Sequence, residues 1–338
     1  MIEILENVSL KAYNTFGLEA KAAHFHEFTS ITGLIEALAQ RKEDQELLIL
    51  GGGSNMLLTQ DFEGLVLKNG LKGIELLSED DDHVLVKVMA GENWHQFVLH
   101  CIAQEWAGVE NLSLIPGTVG AAPMQNIGAY GVEIKNVFEH LEAVEIATGE
   151  VHRFDNASCE FGYRESIFKK EAKGKYVIAS VTFRLNKTPA FNTSYGAIQD
   201  TLEAMRVETL TLKAVSDAVI SIRQSKLPDP VEIGNAGSFF KNPSIDKFDY
   251  EGLKAEFGSI PGYKQPGDLV KIPAAWLIEQ AGWKGKTFGQ IGVHKNQPLV
   301  LVNYGEGKGS DIRNLAFEIQ ASVADKFGIE LTPEVNII

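Results

Sequence analysis

With 338 residues, 44% of them hydrophobic, the chain can bury a sizeable core and has the length of about two domains. Its formal net charge of -14 and pI of about 5.1 leave no broad basic face for nucleic acid or an anionic membrane, so an anionic small ligand must be held by local groups. Two cysteines, Cys101 and Cys159, lie far apart without metal-type spacing and suit a reducing compartment better than a disulfide framework.

In chain order, the opening "MIEILENVSLKAYNTFG" carries no basic segment followed by an apolar one, and no apolar run reaches the ~20 residues needed to span a bilayer. A soluble, cytoplasmic protein is expected. Ser30 caps apolar residues at helical spacing, which predicts a helix from Ser30 to Lys42. "LLILGG" and "GLVLKN" read as buried strands flanking Gly51 to Gly53. From Gly73 strands dominate, with "HVLVKVMAG" followed by an amphipathic helix expected from Asn93 to Gly108. A glycine-dense stretch runs from Leu114 to Gly131, a hairpin is expected to turn at Thr148-Gly149, and "YVIASVTFRL" alternates as a strand.

"SKLPDPVEIGNAGSFFKNP", Ser225 to Pro243, holds three prolines and two glycines after a helical segment and predicts a domain boundary. Beyond it come a helix at "PAAWLIEQAGW", strands at "IGVH" and "PLVLVNYG", a long helix from Gly309 to Gly328 and a short strand at "IELTPEVNII".

Two stretches carry the chemistry of binding. "GGGSN", Gly51 to Asn55, has neither the third glycine of a dinucleotide fingerprint (position 56 is Met) nor the Gly-Lys-Ser/Thr of a P-loop. The residues after Asn55 read as a turn and a strand, so no helix dipole is aimed at a ligand. A backbone nest for an anion and a plain tight turn are both open readings. "PGTVGAAPMQNIGAYG", Pro116 to Gly131, is small and uncharged, with Thr118, Gln125 and Asn126 as side-chain hydrogen-bonding groups near its centre. Backbone of this kind can lie against a flat ligand and its diphosphate, and two such stretches suit a dinucleotide-like cofactor held extended.

These two motifs, together with "NTFG" (Asn14 to Gly17), "YRES" (Tyr163 to Ser166), "SKLPDP" (Ser225 to Pro230), "GNAGSFFKNP" (Gly234 to Pro243) and "PEV" (Pro333 to Val335), resemble the UDP-N-acetylenolpyruvoylglucosamine reductase family. The matches run in order along essentially the whole chain. The resemblance implies an α+β fold: a two-subdomain FAD-binding module of the vanillyl-alcohol-oxidase type plus a smaller α/β substrate-binding domain. It implies an FAD module over residues 1–224 (subdomains about 1–70 and 71–224), a substrate domain over 225–327, and a terminal strand, 328–338, that returns to the FAD module.

The activity it implies is NADPH-dependent reduction of UDP-N-acetylenolpyruvoylglucosamine to UDP-N-acetylmuramate in peptidoglycan precursor synthesis, with non-covalent FAD passing hydride from N5 to the vinyl carbon. Cofactor contacts are expected from Asn14, Gly51, Gly52, Gly53, Ser54, Asn55, Met56, Pro116, Gly117, Thr118, Gly120, Ala121, Gln125, Asn126, Gly128 and Ala129. By the same resemblance Arg164 holds the substrate carboxylate, Ser238 donates the proton, and Glu334 assists protonation. From their surroundings alone, Arg164 also reads as a surface arginine, Ser238 as a serine in a glycine turn, and Glu334 as an outward-facing residue. Tyr163, Tyr195, Lys226, Asn242 and Gln297 are candidates for binding the UDP substrate, with Tyr195 on a mobile tyrosine loop of the family's longer subtype. His95, His100 and His294 have no metal-ligand spacing and are expected to be structural. A monomer is expected, without nucleic-acid or membrane partners. The competing readings are another FAD oxidoreductase of the same superfamily and a non-catalytic nucleotide-binding regulator.

Overall fold

A computed structural model describes residues 2–195 and 197–338. By its internal contacts the chain divides into two units. One comprises the segment up to Val8, Ala22–Gly52 and Glu63–Ser225; the other comprises Ser9–Lys21, Gly53–Phe62 and Lys226–Ile338.

In the first unit, the helix Ile31–Gln40 starts where its cap places it: the Ser30 hydroxyl accepts the Gly33 N–H at 3.0 Å. Such a cap contributes about 1 kcal/mol. The helix buries Leu34 and Ala37 completely. A four-stranded sheet contains Leu47–Leu50 beside Phe62–Asn69, a parallel pair aligning Leu47 with Leu65 and Leu50 with Lys68. Leu65, Val66 and Leu67 are all fully buried, the continuous apolar run that a strand covered on both faces requires. Leu34, Leu65 and Leu67 share one core with Val144, Val177 and Ala179 of a second, five-stranded sheet. That sheet is antiparallel throughout, in the order Val151–Asp155, Phe138–Glu145, Tyr176–Asn186, His83–Met89, Ile74–Glu79. Its hairpin turns at Gly149 (φ +76°), whose N–H donates to Glu145 O at 2.8 Å. On another side of this sheet Val86, Val88, Val181 and Phe183 pack with Trp94, Phe97 and Val98 of a helix.

That helix spans Trp94–Ala103, capped by Asn93, and is shorter than the expected Asn93–Gly108. Glu105 takes a left-handed φ of 58° and the Trp106 N–H folds back to Cys101 O, so the last apolar residues serve the turn.

The second unit holds a four-stranded sheet ordered Gly234–Ser238, Val300–Asn303, Ile291–Val293, Thr287–Phe288, packed with the helices Ala274–Gln280 and Gly309–Phe327. Residues 244–271 add a three-stranded sheet and the helix Lys247–Phe257, neither of which was expected. The strands are only three residues long, too short to show a period, and the helix has no fully buried residue, packing only the partly buried Tyr250, Leu253 and Phe257 against the core.

Residues 9–21 and 53–62, expected within the FAD module, group with this unit. The reason is main-chain bonding: Thr15 N–H to Gly53 O (3.1 Å), Asn336 N–H to Asn55 O (3.1 Å) and Thr59 N–H to Ile338 O (2.7 Å). The terminal strand is confined to Asn336–Ile337 and pairs in parallel with Met56–Leu57. No helix of the described residues is long and apolar enough to cross a membrane.

Candidate active site

The two glycine-rich stretches meet inside the first unit. A Cβ on Gly52 would lie 2.8 Å from Gly117 Cα, and one on Gly51 would lie 2.8 Å from Thr118 Oγ1. Gly120 is pinned in the same way: a Cβ there would lie 2.5 Å from that of Ala90, and its N–H donates to Ala90 O at 2.9 Å. Gly52 and Gly120 are therefore required by close approach of backbone, and Gly51 by the Thr118 hydroxyl. Among the described residues, the N–H groups of Gly51 and Gly52 donate to no acceptor of the chain, and in the second unit the same holds for Gly53 and Ser54. Unused amides on small residues suit an anionic group of an extended dinucleotide, so in the first unit Gly51 and Gly52 fit FAD. The residues after Asn55 form the strand Met56–Leu57, so no helix terminus takes part.

The long stretch itself folds as short 3-10 turns, Val119–Ala121 and Pro123–Gln125, followed by Asn126 in the left-handed region at φ 45°. Asn126, expected at the cofactor, is fully enclosed. Its Nδ2 donates to Glu133 Oε2 and Gly162 O, both at 3.0 Å, and its Oδ1 accepts the Lys135 N–H at 3.2 Å. Its side chain thus shapes the loop. Asn14 is placed alike in the second unit: Nδ2 donates to Leu10 O and Leu18 O, and Oδ1 accepts the Leu18 N–H, closing the "NTFG" turn. Gln125 accepts from Lys169 Nζ at 3.0 Å.

Arg164 is half-buried with φ 56°, and its Nη2 donates to Gly128 O at 2.6 Å. The guanidinium stands 5.6 Å from the Tyr163 ring centroid. A residue held in a sparsely populated backbone region and bonded inward is not a freely solvated surface arginine.

Nearby in the same unit lies a group that the sequence pattern did not single out. Arg223, half-buried on the helix Leu212–Lys226, donates from Nε to Leu114 O at 3.2 Å and hydrogen-bonds Tyr130. Burial pulls the Arg223 guanidinium below its ordinary range, the Tyr130 phenol opposing, and pushes Tyr130 up despite the arginine. Burial and then Arg223 hold His95 down; its Nδ1 accepts the Leu114 N–H at 3.0 Å. Leu114 (φ 58°) is thus clamped from both sides at the head of the glycine-rich stretch. The available signal was spacing: Val215, Val219 and Arg223 follow at intervals of four, which sets an arginine on the buried side of its helix.

In the second unit Ser238 ends the strand Gly234–Ser238, whose register breaks between Asn235 and Ser238. Gly237 turns at φ +69° and donates to Asn235 Oδ1 at 3.0 Å, while Phe239 and Phe240 anchor the segment in the core. Gly234 has no alternative, since a Cβ would lie 2.1 Å from Phe16 O. Glu334 is brought to this segment: its N–H donates to Phe239 O at 2.7 Å, and its carbonyl accepts Asn55 Nδ2 at 3.2 Å. Asn242 Oδ1 accepts the Ala274 N–H at 2.9 Å at the start of a helix, and Gln297 Oε1 accepts the Leu299 N–H at 3.3 Å. Lys226 and Tyr195 are exposed.

The FAD binding domain family matches residues 23–155, and the UDP-N-acetylenolpyruvoylglucosamine reductase C-terminal domain family matches residues 229–338. Together with the mixed helices and sheets, these define an FAD-dependent oxidoreductase of α+β fold. UDP-N-acetylenolpyruvoylglucosamine reductases from Amoebophilus asiaticus and Flavobacterium johnsoniae are 52% and 53% identical to the chain, over all of both sequences in each case. The crystal structure of the Thermus caldophilus UDP-N-acetylenolpyruvylglucosamine reductase has the same fold, with a TM-score of 0.68 at 21% identity over 100% of this chain and 98% of that one. The chain belongs to the UDP-N-acetylenolpyruvoylglucosamine reductase family.

Proposed function

We propose that the chain reduces UDP-N-acetylenolpyruvoylglucosamine to UDP-N-acetylmuramate with electrons from NADPH, a step of peptidoglycan precursor synthesis carried out in the cytoplasm by a monomer. Bound FAD would supply the two-electron redox chemistry that links NADPH oxidation to reduction of the enolpyruvyl double bond. Gly51, Gly52 and the backbone of Pro116 to Ala129, with Gly53 to Met56, hold the cofactor through main-chain groups.

Arg164 holds the substrate carboxylate. A guanidinium grips a carboxylate through two parallel bonds and cannot lose its proton, so it stabilises charge that builds there without acting as an acid. Ser238 gives the proton to the carbon beside the carboxylate, and Glu334 assists through charge or a bridging water. Tyr195 and Lys226 contact the diphosphate, with Tyr163, Asn242 and Gln297 as further contacts to the nucleotide. The observation that carries the reading is the main-chain bond from Glu334 to Phe239, which joins the segments bearing the two proton-handling side chains.

Anaerobic half-reactions test it. Ser238→Ala should leave flavin reduction by NADPH nearly intact while slowing reoxidation by the enolpyruvyl nucleotide about 10²- to 10⁴-fold, because only that step needs the proton. Equal loss in both half-reactions overturns the assignment of Ser238.

A further inference from the structure

We infer that Trp94 and His95 are positioning residues for the cofactor, holding the stretch from Leu112 to Gly120 so that its unused amides stand beside Gly51 and Gly52. This rests on the reading of those glycines as the anion cradle of FAD. Among the described residues, the N–H groups of Gly117 and Thr118, like those of Gly51 and Gly52, donate to no acceptor of the chain. A Cβ on Gly52 would lie 2.8 Å from Gly117 Cα, so the two backbones adjoin. Amides on two adjoining backbones can close around an anion only while both backbones keep their places.

The backbone of residues 90–94 fixes one edge of the second stretch. Trp94 N–H donates to Gly117 O at 3.1 Å, Val119 N–H to Glu92 O at 2.9 Å and Gly120 N–H to Ala90 O at 2.9 Å. Between these bonds Asn93 and Thr118 stand opposite each other in an antiparallel bridge. They form its non-hydrogen-bonded pair, so the Thr118 N–H points away from Asn93.

Two side chains extend the grip towards Leu112. Trp94 Nε1 donates to Leu112 O at 2.9 Å, and His95 Nδ1 accepts the Leu114 N–H at 3.0 Å. Leu114 has φ 58°, a sparsely populated conformation that persists only where its surroundings hold it. Trp94 is 1% exposed, and its ring meets those of Phe97 and Phe183 edge-on, with centroids 5.7 and 6.0 Å away. Both side chains leave the first turn of a helix whose cap is closed, Asn93 Oδ1 accepting the Gln96 N–H at 3.0 Å. The cradle is thus ordered before a ligand arrives, which raises affinity by preorganisation. Trp94 and His95 need not touch the cofactor to have this effect.

A double-mutant cycle on the FAD-loaded enzyme tests the inference, reading the rate of FAD loss from flavin fluorescence after dilution. Trp94→Phe keeps an aromatic ring in the core and gives up the bond to Leu112; His95→Leu leaves the Leu114 N–H without an acceptor. Each should speed FAD loss about three- to thirtyfold, the scale of one buried polar group left unsatisfied. His95→Gln keeps an acceptor and should stay within about twofold of the parent. In a Gly52→Ala background, where the cradle is already obstructed, Trp94→Phe and His95→Leu should each add less than about twofold. Trp94→Phe and His95→Gln carry the test if His95→Leu fails to load with FAD.

Equal increments in both backgrounds overturn the inference, because they mark a general loosening of the fold. So does parent-like FAD retention in both Trp94→Phe and His95→Leu, or a loss in His95→Gln as large as that in His95→Leu. If Gly52→Ala itself retains FAD like the parent, the reading of the glycines as the cradle fails first and is recognised as the cause.

Discussion

The main-chain N–H of Glu334 donates to the carbonyl of Phe239, the residue after Ser238, across 2.7 Å. This bond does not involve the Glu334 carboxylate. Glu334→Gln should therefore remain folded and flavin-loaded, while substrate-driven flavin reoxidation slows about 10²-fold. Flavin content and the thermal midpoint check the first expectation, and stopped-flow absorbance checks the second. An unchanged reoxidation rate removes Glu334 from the chemistry.

Arg164→Lys separates charge from shape. Lysine keeps the positive charge but offers no planar fork, and it gives up the Nη2 bond to Gly128 O. Flavin reduction by NADPH should change little, while kcat/KM for the enolpyruvyl nucleotide should fall about 10²- to 10³-fold. A loss of less than fivefold contradicts a bidentate role.

Three glycine-to-alanine substitutions should differ in sign and size. Gly52→Ala forces a methyl to 2.8 Å from Gly117 Cα and should cost about 1–3 kcal/mol, with weaker FAD retention. Gly234→Ala meets the Phe16 carbonyl oxygen at 2.1 Å and should be worse, with little folded protein recovered. Gly252→Ala, inside the helix Lys247–Phe257, meets nothing within 4 Å and should stabilise by about 1 kcal/mol through helix propensity. Thermal melts of the three variants give the ranking directly.

The pH dependence follows from histidines. His95 is held below its ordinary range by burial and then by Arg223, His140 by burial and Arg153, and His294 by burial and Lys295. Below about pH 6.5 the unfolded chain binds protons at these sites that the folded chain refuses, so stability falls as pH is lowered from that point. Above it these groups contribute no slope. His95→Gln, which can still accept the Leu114 N–H, should flatten the decline; an unchanged thermal-midpoint profile between pH 5 and 6.5 counts against His95.

Much of the fold was legible because its signals are local. Ser30 and Asn93 announce their helices by capping, and Gly149 announces its hairpin. The site was legible only where residue type restricts the choice. Gly52 is forced by the approach of the Gly117 backbone and Gly51 by the Thr118 hydroxyl, whereas the Asn14 and Asn126 side-chain amides bond within their own loops. Nothing local tells an enclosed amide from an exposed one. The contacts of Asn111 and Tyr130 carry no local signal either, since they join segments 81 and 65 residues apart in the chain. The grouping of residues 9–21 and 53–62 with the C-terminal unit is equally non-local, because main-chain bonds carry no sequence signature.

Pairing of Met56–Leu57 with Asn336–Ile337 sets an order of events during biosynthesis. The earlier strand leaves the ribosome long before its partner exists, at roughly 5–20 residues per second a delay of about 15–55 s. Throughout that interval residues 53–62 have an unsatisfied strand edge, open to whatever else can pair with it. Completion of the second unit is therefore a late, long-range closure and should be the slow phase in refolding, while the antiparallel sheet of the first unit, with its short-range hairpins, forms ahead of it.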